Sequence, residues 1–251
     1  MYKRHILPLC LACLWTTIGA HTVLDGTELY ARLGYNLGGT SPIGLPSTIR
    51  SLESYKLCNN SVIGVDAIKP FDSHWRLLIG LRFENKDMEI DAKVKNYHMQ
   101  MVRGGESLEG VFTGSINTQV RQWMVTLPIQ ATYCINRKLR LRMGPYLSYL
   151  FSKNFEGSAY DGYLRVGNPT GPLVEMGNEN GTRGTYDFSE YMRHLQVGVG
   201  IGIDCNIYRR FGLYADINWG LNGIHRSNFK TIEQTLYPIF GTVGLNYRIS
   251  K

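Results

Sequence analysis

Apolar and polar residues alternate one by one along most of the chain after residue 27, a period of two that is typical of β-strands with two different faces. The clearest example runs from 195 to 221, where the connection at 208–210 is short enough to join two antiparallel strands. One face of this predicted hairpin is apolar, and the other consists of glycine, polar and single charged residues. The apolar residues are Leu195, Val197, Val199, Ile201, Ile203, Phe211, Leu213, Ala215, Ile217, Trp219 and Leu221.

The polar face indicates which side of the sheet points inward. It is rich in glycine and carries isolated charges, as expected of a narrow polar interior. Strands of about ten residues with an apolar outer face and a polar inner face are typical of barrels that span a bilayer. We therefore predict an all-β fold, an eight-stranded antiparallel up-and-down transmembrane β-barrel with long extracellular loops. A water-soluble periplasmic barrel is the alternative.

Eight segments with this alternation are separated by connections that are short and long in turn. Such alternation is typical of outer-membrane barrels, which have short periplasmic turns and long external loops. Within the loops we predict a short helix over 47–55 and a hairpin, with its turn at 103–106, that projects beyond the membrane surface. The predicted connections are short turns near 69–74, 136–138 and 208–210, and long loops near 38–60, 85–118, 153–190 and 223–234.

The composition agrees with a β-barrel and argues against a helical membrane protein. Of the 251 residues, 43% are hydrophobic and only 19% are charged, and the chain contains 16 tyrosines and 28 glycines. After residue 20, no apolar run in the sequence is long enough for a transmembrane helix. The mean hydropathy of −0.18 would by itself suggest a water-soluble protein, but alternating strands average out in that index.

The N-terminus predicts export from the cytoplasm. Lys3 and Arg4 precede an apolar stretch over 6–15, and small residues that suit a cleavage site follow it. This order of basic, apolar and small residues is typical of a secretory signal peptide. We therefore expect a signal peptide over 1–20 and one outer-membrane β-barrel domain over 21–251.

Cysteines and net charge point to no further chemistry. Cys13 matches a lipoprotein processing box poorly, and the spacing of Cys58, Cys134 and Cys205 suggests neither a disulfide framework nor a zinc site. Removal of residues 1–20 would lower the net charge from +7 to +5. No basic cluster is interleaved with aromatic residues in the sequence, so we expect no binding of nucleic acid.

Charged residues on the polar strand faces are predicted to meet inside the barrel. The bore of an eight-stranded barrel is just filled by side chains, so these acids and bases should pair with one another. An open pore for small solutes is the alternative. Catalytic carboxylates are disfavoured, because neighbouring arginines lower the pKa of an acid and make it a poor proton donor. The predicted network consists of Glu28, Arg32, Asp66, Arg76, Arg82, Glu84, Arg140, Arg142, Asp204, Asp216 and Arg248.

Aromatic residues among glycine, asparagine and aspartate suit an adaptable recognition surface on the loops. The candidate binding residues are Tyr160, Tyr163, Tyr186, Phe188 and Tyr191. A second set of candidates consists of three histidines near the external rim, His98, His194 and His225. The spacing of these histidines singles out neither a nucleophile nor a metal cluster, so we predict no catalytic residue, no metal and no cofactor.

Six short stretches keep their order and spacing around the predicted strands. They are Gly34-Tyr35-Asn36, Gly80-Leu81-Arg82-Phe83-Glu84-Asn85-Lys86, Leu127-Pro128-Ile129, Gly144-Pro145-Tyr146, Ser158-Ala159-Tyr160-Asp161-Gly162 and Gly241-Thr242-Val243-Gly244-Leu245-Asn246-Tyr247. With these stretches the sequence resembles the PorT-like outer-membrane β-barrel family, which is an outer membrane protein beta-barrel domain. The resemblance implies an outer-membrane barrel and, for some members, a link to protein secretion.

We therefore predict a non-enzymatic barrel in the outer membrane of a Gram-negative bacterium, which presents loops for binding, adhesion or envelope structure. One alternative is a porin-like channel for small solutes, and another is a membrane hydrolase or acyltransferase at the rim. The location implies outer-membrane lipids, lipopolysaccharide and the barrel-assembly machinery as partners. An extracellular or secretion-system protein is the expected protein partner.

Overall fold

The computed structural model describes residues 26–44, 46–56, 58–179, 181–229, 231–232 and 234–250, and the predicted signal peptide lies outside them. This part of the chain contains twelve strands and a 3-10 turn at Ser189–Tyr191, and no helix in it is long and apolar enough to cross a membrane. The strands are β1 (Glu28–Pro42), β2 (Ile49–Lys56), β3 (Ser61–Pro70), β4 (Trp75–Asn85), β5 (Met88–Arg103), β6 (Glu106–Cys134), β7 (Leu139–Val166), β8 (Leu173–Met176), β9 (Gly184–Asp187), β10 (Leu195–Tyr208), β11 (Phe211–Gly220) and β12 (Leu236–Arg248).

Eight of these strands pair antiparallel in a continuous ring. The order around the ring is β1, β3, β4, β6, β7, β10, β11 and β12, and β12 pairs again with β1. Neighbours in the ring follow one another along the chain, which is up-and-down connectivity. The sequence predicted eight strands in total, whereas the described residues form twelve. The additional strands are β2, β5, β8 and β9.

Two strands continue far beyond the ring. β6 contains 29 residues and β7 contains 28, and the two strands pair with each other both inside and beyond the ring. At about 3.3 Å per residue, β6 is roughly 95 Å long. Beyond the ring, β6 also pairs with β5, and β7 pairs with β8 and β9. We call this part of the molecule the extension; it comprises β2, β5, β8, β9, residues 106–122 of β6, residues 152–166 of β7, and residues 188–194, 221–229, 231–232 and 234–235.

The hairpin predicted within 85–118 is confirmed, whereas the predicted loop over 153–190 is wrong, because most of its residues are strands of the extension. Residues 85–118 form β5 and the start of β6, and residues 153–190 contain the end of β7 together with β8 and β9. The predicted turn at 103–106 is confirmed. It contains Gly104 and Gly105 with φ angles of 59° and 87°, a left-handed region that glycine adopts without strain.

The predicted helix over 47–55 is also wrong, because this segment is β2, which pairs antiparallel with β5. Ile49, Leu52 and Tyr55 have a spacing of three that is compatible with a helix. In the structure, the register between β2 and β5 shifts between Ile49 and Ser51 and again between Leu52 and Ser54. Each shift adds a residue to β2, so the three apolar side chains line the same groove.

The inward face of β6 changes its chemistry along the strand. In the extension, Phe112, Ile116 and Val120 point inward and belong to an apolar core. Farther along the same face, inside the ring, the polar residues Thr126 and Gln130 are buried beside Met124 and Pro128. The interior is therefore apolar in the extension and mixed in the ring, where polar and charged side chains are buried among apolar ones.

The outward face of β6 changes in the opposite sense. Gln119 and Arg121 point outward in the extension, whereas Val125, Leu127 and Ile129 point outward in the ring. Leu127 and Ile129 are 37% and 42% exposed. One uninterrupted strand thus has a polar outer face at one end and an apolar outer face at the other, with the change between residues 121 and 123.

Two aromatic bands border the apolar belt of the ring. Near the short turns, Trp75 packs on Tyr133 with ring centroids 5.0 Å apart. Near the extension, Phe83 packs on Trp123 at 5.3 Å and on Phe151 at 5.5 Å. The two bands therefore lie at opposite ends of β4.

Candidate functional site

Buried charges inside the ring form the candidate functional site. They occupy inward positions of β1, β3, β4, β7, β10 and β11. Glycines on neighbouring strands make room for these groups. A Cβ atom at Gly202 would collide with Oδ1 of Asp216 and lie 2.9 Å from Nη2 of Arg142. The lack of a side chain at Gly202 therefore allows this acid and this arginine to meet.

Asp204 on β10 contacts three guanidinium groups. Nη2 of Arg32 donates to Oδ1 of Asp204 over 3.1 Å, Nε of Arg142 lies 2.9 Å from Oδ2, and Nη2 of Arg140 lies 3.7 Å from Oδ2. The side chains of Asp204, Arg32 and Arg142 are 0% exposed. A carboxylate removed from water in this way requires charged or hydrogen-bonding partners to offset its lost hydration.

Asp66 and Asp216 join the same arginines into a closed circuit. Nη1 of Arg82 donates to Oδ2 of Asp216 over 3.1 Å, and Nη2 of Arg82 lies 3.5 Å from Oδ2 of Asp66. Nη2 of Arg142 donates to Oδ1 of Asp216 over 2.5 Å, and Nε of Arg32 contacts Asp66. Each of the three arginines thus bridges two acids. We call this closed series of alternating arginines and aspartates the ion-pair circuit; it consists of Arg32, Asp66, Arg82, Asp216, Arg142 and Asp204.

Another ion-pair group lies at the mouth near the short turns. Oε1 of Glu28 is 2.9 Å from Nη1 of Arg76, and Oε2 is 3.6 Å from Nη1 of Arg140. Arg248 lines the same mouth, which has a volume of about 370 Å³. Within the described residues, no ion pair joins Arg248 to an acid. This mouth therefore carries more positive than negative charge.

A lysine that the sequence did not identify lies at the opposite end of the bore. Nζ of Lys86 donates to Oε1 of Glu84 over 3.0 Å, and the hydroxyl of Thr126 donates to the same oxygen over 2.6 Å. Lys86 is 3% exposed. The sequence placed the exit from the membrane near 85–87, so Lys86 was not assigned to the bore. Its position two residues after Glu84, on the same strand face, is the signal that could have identified it.

The structure brings ten of the eleven predicted bore residues into ion pairs with one another or with Lys86, and Arg248 is the exception in the described part of the chain. Arginine keeps its proton under physiological conditions. A circuit of guanidinium groups and carboxylates is therefore suited to linking strands and filling the bore, and it is poorly suited to proton transfer.

The predicted loop aromatics do not form one exposed surface. Tyr186 and Phe188 are 7% and 5% exposed and lie in the apolar core of the extension. Tyr186 is an inward residue of β9, and Phe188, just after β9 ends, stacks on its ring with centroids 5.4 Å apart. The hydroxyl of Tyr186 donates to the carbonyl of Asn117 over 2.9 Å. Tyr191 is 45% exposed. The assignment of Tyr186 and Phe188 to an external binding surface is therefore corrected.

Tyr160 and Tyr163 lie on the part of β7 that belongs to the extension. Both side chains are half-buried, and the guanidinium of Arg183 lies 4.9 Å from the ring centroid of Tyr160. The guanidinium of Arg165 lies 5.9 Å from the ring centroid of Tyr163. These two tyrosines therefore stay accessible in part, each beside a positive charge.

The three histidines have separate surroundings. Nε2 of His98 lies 3.5 Å from Glu109, and Nδ1 of His194 lies 2.9 Å from the carbonyl oxygen of Leu150. His225 is enclosed by the aromatic side chains of the extension. The described residues contain no group of three or more acids, histidines and cysteines that could hold a metal ion.

His225 is held in its neutral form by its surroundings. Its ring lies 4.9 Å from that of Phe155 and 4.7 Å from that of Phe229, and Nε2 is buried without a hydrogen-bond partner among the described residues. Burial, together with the positive charge of Lys153, lowers the pKa of His225 from 6.5 to about 4. In the folded extension His225 therefore releases its proton more readily than in the unfolded chain.

We expect the loop around His225 to open more readily in acid. The unfolded chain binds the proton at a higher pH than the folded chain, so stability is fully present above about pH 7 and falls between about pH 6.5 and 4. Because the imidazole of His225 is partly exposed, we expect the opening free energy of this loop to fall by about 1–2 kcal/mol at pH 5. Hydrogen exchange of the Ile224 and Arg226 amides, corrected for intrinsic rates, measures it. His225→Phe should abolish the pH dependence, and an unchanged dependence would contradict this assignment.

Comparisons with known proteins place the chain among outer-membrane proteins. Residues 26–226 match the sequence profile of the family described as outer membrane protein beta-barrel domain. Among solved structures, the chain is similar to Ail, the attachment invasion locus protein of Yersinia pestis, with 11% identity over 89% of this chain and 97% of that chain and a TM-score of 0.37. It is also similar to Acinetobacter baumannii CarO2, with 11% identity, coverage of 88% and 98%, and a TM-score of 0.42. No curated protein sequence matches this chain.

Proposed function

Because the chain belongs to the outer membrane protein beta-barrel domain family, and therefore to the outer membrane of a Gram-negative bacterium, we propose that the ring is an eight-stranded transmembrane barrel with a sealed bore. The barrel holds the extension outside the cell. The protein acts as a non-enzymatic outer-membrane platform that presents the extension for binding, adhesion or envelope structure.

The ion-pair circuit carries this proposal. It links six of the eight ring strands across the bore, and its side chains are at most 5% exposed. Eight strands enclose an interior that side chains just fill, and opposite charges at these distances leave no continuous column of water. Passage of solutes would require several buried ion pairs to separate, so the bore is closed at rest.

The reversal of polarity along β6 supports the position of the membrane. An apolar outer surface suits lipid, whereas a polar outer surface over an apolar core suits water. From Trp75 to Phe83 the aromatic bands are roughly 26 Å apart along β4. With a strand tilt of about 40°, this is a height of roughly 20 Å along the barrel axis, on the scale of the apolar band of outer-membrane barrels, which is about 25 Å tall. The extension therefore lies outside the bilayer, as a folded body with its own core.

Several narrower assignments belong to the same proposal. The stretches around Gly34, Gly80, Leu127, Gly144, Ser158 and Gly241 support a PorT-like member, and the resemblance implies a link to protein secretion for some members of that family. Cleavage of residues 1–20 would precede insertion by the barrel-assembly machinery. The partners are outer-membrane lipids and lipopolysaccharide, together with an extracellular or secretion-system protein that contacts the extension.

We expect the refolded protein to give no steady conductance in planar lipid bilayers, because the ion-pair circuit closes the bore. Removing residues 97–112 and joining β5 to β6 by a short turn should leave the bore closed, since the seal lies in the ring. Replacing Asp66 and Arg82 together by alanine should produce measurable channels. A steady conductance of the unmodified protein would support the small-solute channel and contradict the sealed bore.

A further inference from the structure

The wall of the molecule contains a seam between β1 and β2. Pairing of β1 with β3 ends at Tyr35 and Ser61, although β1 continues to Pro42 and stays paired with β12. β2 takes the next place in the wall and pairs with β5. The described strand pairs include none between β1 and β2. The two strands are joined instead by the hydroxyl of Tyr55, which donates to the carbonyl of Gly38 over 2.6 Å.

An apolar groove runs along this seam. Its volume is about 500 Å³, and its apolar lining includes Ile49, Leu52, Tyr55, Ile90 and Ile239. Leu52 is 60% exposed at the outer lip. The seam is thus open to the outer surface of the wall.

The groove adjoins a cavity of about 80 Å³ inside the apolar core of the extension. Ile49, Met88, Ile90 and Ile116 line both spaces. The seam is therefore a place where the apolar interior of the extension meets the outer surface of the protein.

The groove lies level with the aromatic band next to the extension. Gly39, which lines the groove, pairs with Ile239, and Ile239 pairs on its other side with Trp219. Trp219 points outward and is 44% exposed. Aromatic bands of this kind mark the boundary between hydrocarbon and headgroups. The ring end of the groove, at Gly39 and Ile239, therefore lies at this boundary, where acyl chains and headgroups of the outer leaflet meet, and Leu52 lies on the headgroup side of it.

A positive charge lies in the groove without an acid beside it. Arg50 lines the groove, and within the described residues no ion pair joins it to a carboxylate. The acids nearest to it along β2 and on β5 have other partners, since Glu53 pairs with Lys93, and Asp91 accepts hydrogen bonds from Ser54 and Asn117. A guanidinium at the headgroup level is suited to a phosphate or carboxylate.

We propose that the seam binds one acyl chain of an anionic outer-leaflet lipid. The chain lies in the groove with its end toward the inner cavity, and the headgroup contacts Arg50. An added peptide strand fits less well, because both backbone groups of Gly38 are already bonded to the Tyr55 hydroxyl. Lipid binding needs no backbone groups and uses the apolar lining that the seam provides.

Photocrosslinking in lipid vesicles tests the proposal. The probe is phosphatidylglycerol with a diazirine in the middle of one acyl chain, and the labelled residues are located by mass spectrometry. We expect adducts on groove residues of β1, β2 and β5 in excess of those on the rest of the apolar belt. Labels spread evenly around the belt would overturn the proposal.

Two matched variants separate the groove from ordinary lipid contact. Leu52→Glu should reduce the groove adducts about tenfold, because a charge at the lip opposes both the chain and the anionic headgroup. Leu221→Glu is the control, since Leu221 is 61% exposed just beyond Trp219 on β11 and away from the seam. Both residues are exposed, so both variants should fold, as checked by their mobility on gels before and after heating. An equal yield in the two variants would refute the site.

The role of Arg50 has its own readout. The unmodified protein should prefer the phosphatidylglycerol probe over the matching phosphatidylcholine probe by about fivefold, the effect of roughly 1 kcal/mol from one charge contact. Arg50→Gln should remove this preference while groove labelling by phosphatidylcholine persists. Equal labelling by the two probes in the unmodified protein would contradict the contact with Arg50. Failure of this test leaves the conductance result unaffected, so the two proposals are tested separately.

Discussion

Asp204→Ala is expected to lower the free energy of unfolding of the barrel by about 3–5 kcal/mol. Asp204 contacts Arg32, Arg140 and Arg142, and its removal leaves positive charges in a bore from which water is excluded. The cost arises mainly from these unpaired arginines, because breaking a buried ion pair removes the attraction but leaves the lost hydration. Unfolding in urea from lipid vesicles, followed by tryptophan fluorescence, measures the change.

An exposed ion pair provides the matched control. Nζ of Lys93 lies 3.6 Å from Oε2 of Glu53, and the side chains are 60% and 45% exposed. Such a pair contributes little because water screens it, so Glu53→Gln should change stability by less than about 1 kcal/mol. If Asp204→Ala cost no more than this control, the bore would have to be filled with water, and the sealed barrel would be refuted.

A double variant tests whether the loss at Asp204 is due to its neighbours. The variant that combines Arg142→Met with Asp204→Ala removes the acid together with one of its arginine partners. The methionine fills part of the space that the arginine occupied. We expect the combined cost to be smaller than the sum of the two single costs by about 1–3 kcal/mol, as found for residues in one network. Additive costs would show that the two side chains act independently.

The ring could be predicted from the sequence because its strands keep an unbroken period of two. In 195–207 and again in 211–221 every second residue is apolar, and glycines between them, such as Gly198 and Gly202, leave space for long inward side chains. Short turns at 136–138 and 208–210 leave few other ways to connect the strands. The alternation within each strand and the order of the strands in the ring are consistent with each other, so the sequence is sufficient to predict these strands and turns.

The sequence predicts the projecting hairpin but not the strands that pair with it in the extension, because the alternation there is interrupted. The register shifts between Val94 and Tyr97 on β5 and between Tyr160 and Tyr163 on β7, where two residues face the single residue Gly114 of β6. Asn96 has a positive φ angle of 54°, which is unusual for a residue other than glycine and marks the first of these irregularities. Each bulge moves the apolar residues to the other parity, so a strand face reads as an irregular loop.

The sequence predicts which residues point into the bore, but it does not predict which of them contact one another. Strand parity identifies Arg32 and Asp204 as inward residues. Their contact joins positions 172 residues apart, on β1 and β10, which do not pair with each other. Such contacts depend on the curvature of the closed ring, which the sequence pattern does not give.

Ile129→Arg should be as costly for the outer face as Asp204→Ala is for the bore. Ile129 points outward and pairs with Ile79, which lies midway between the two aromatic bands on β4. An arginine at the middle of the bilayer costs about 2–4 kcal/mol in outer-membrane barrels. We expect a loss of this size in the free energy of unfolding from vesicles, together with a smaller folded fraction.

Gln119→Arg is the matched control on the same face of the same strand. Gln119 lies in the extension between Glu89 of β5 and Glu156 of β7, and its Oε1 accepts a hydrogen bond from Arg121. An arginine there loses this bond and lies beside Arg121, but it gains the two acids as neighbours and stays in water. We expect its effect on stability to be less than about 0.5 kcal/mol. The pair of variants thus measures where along β6 the surroundings change from lipid to water. If both arginines were tolerated equally, the apolar belt would not face hydrocarbon, and the membrane orientation proposed for the ring would fail even with the bore network intact.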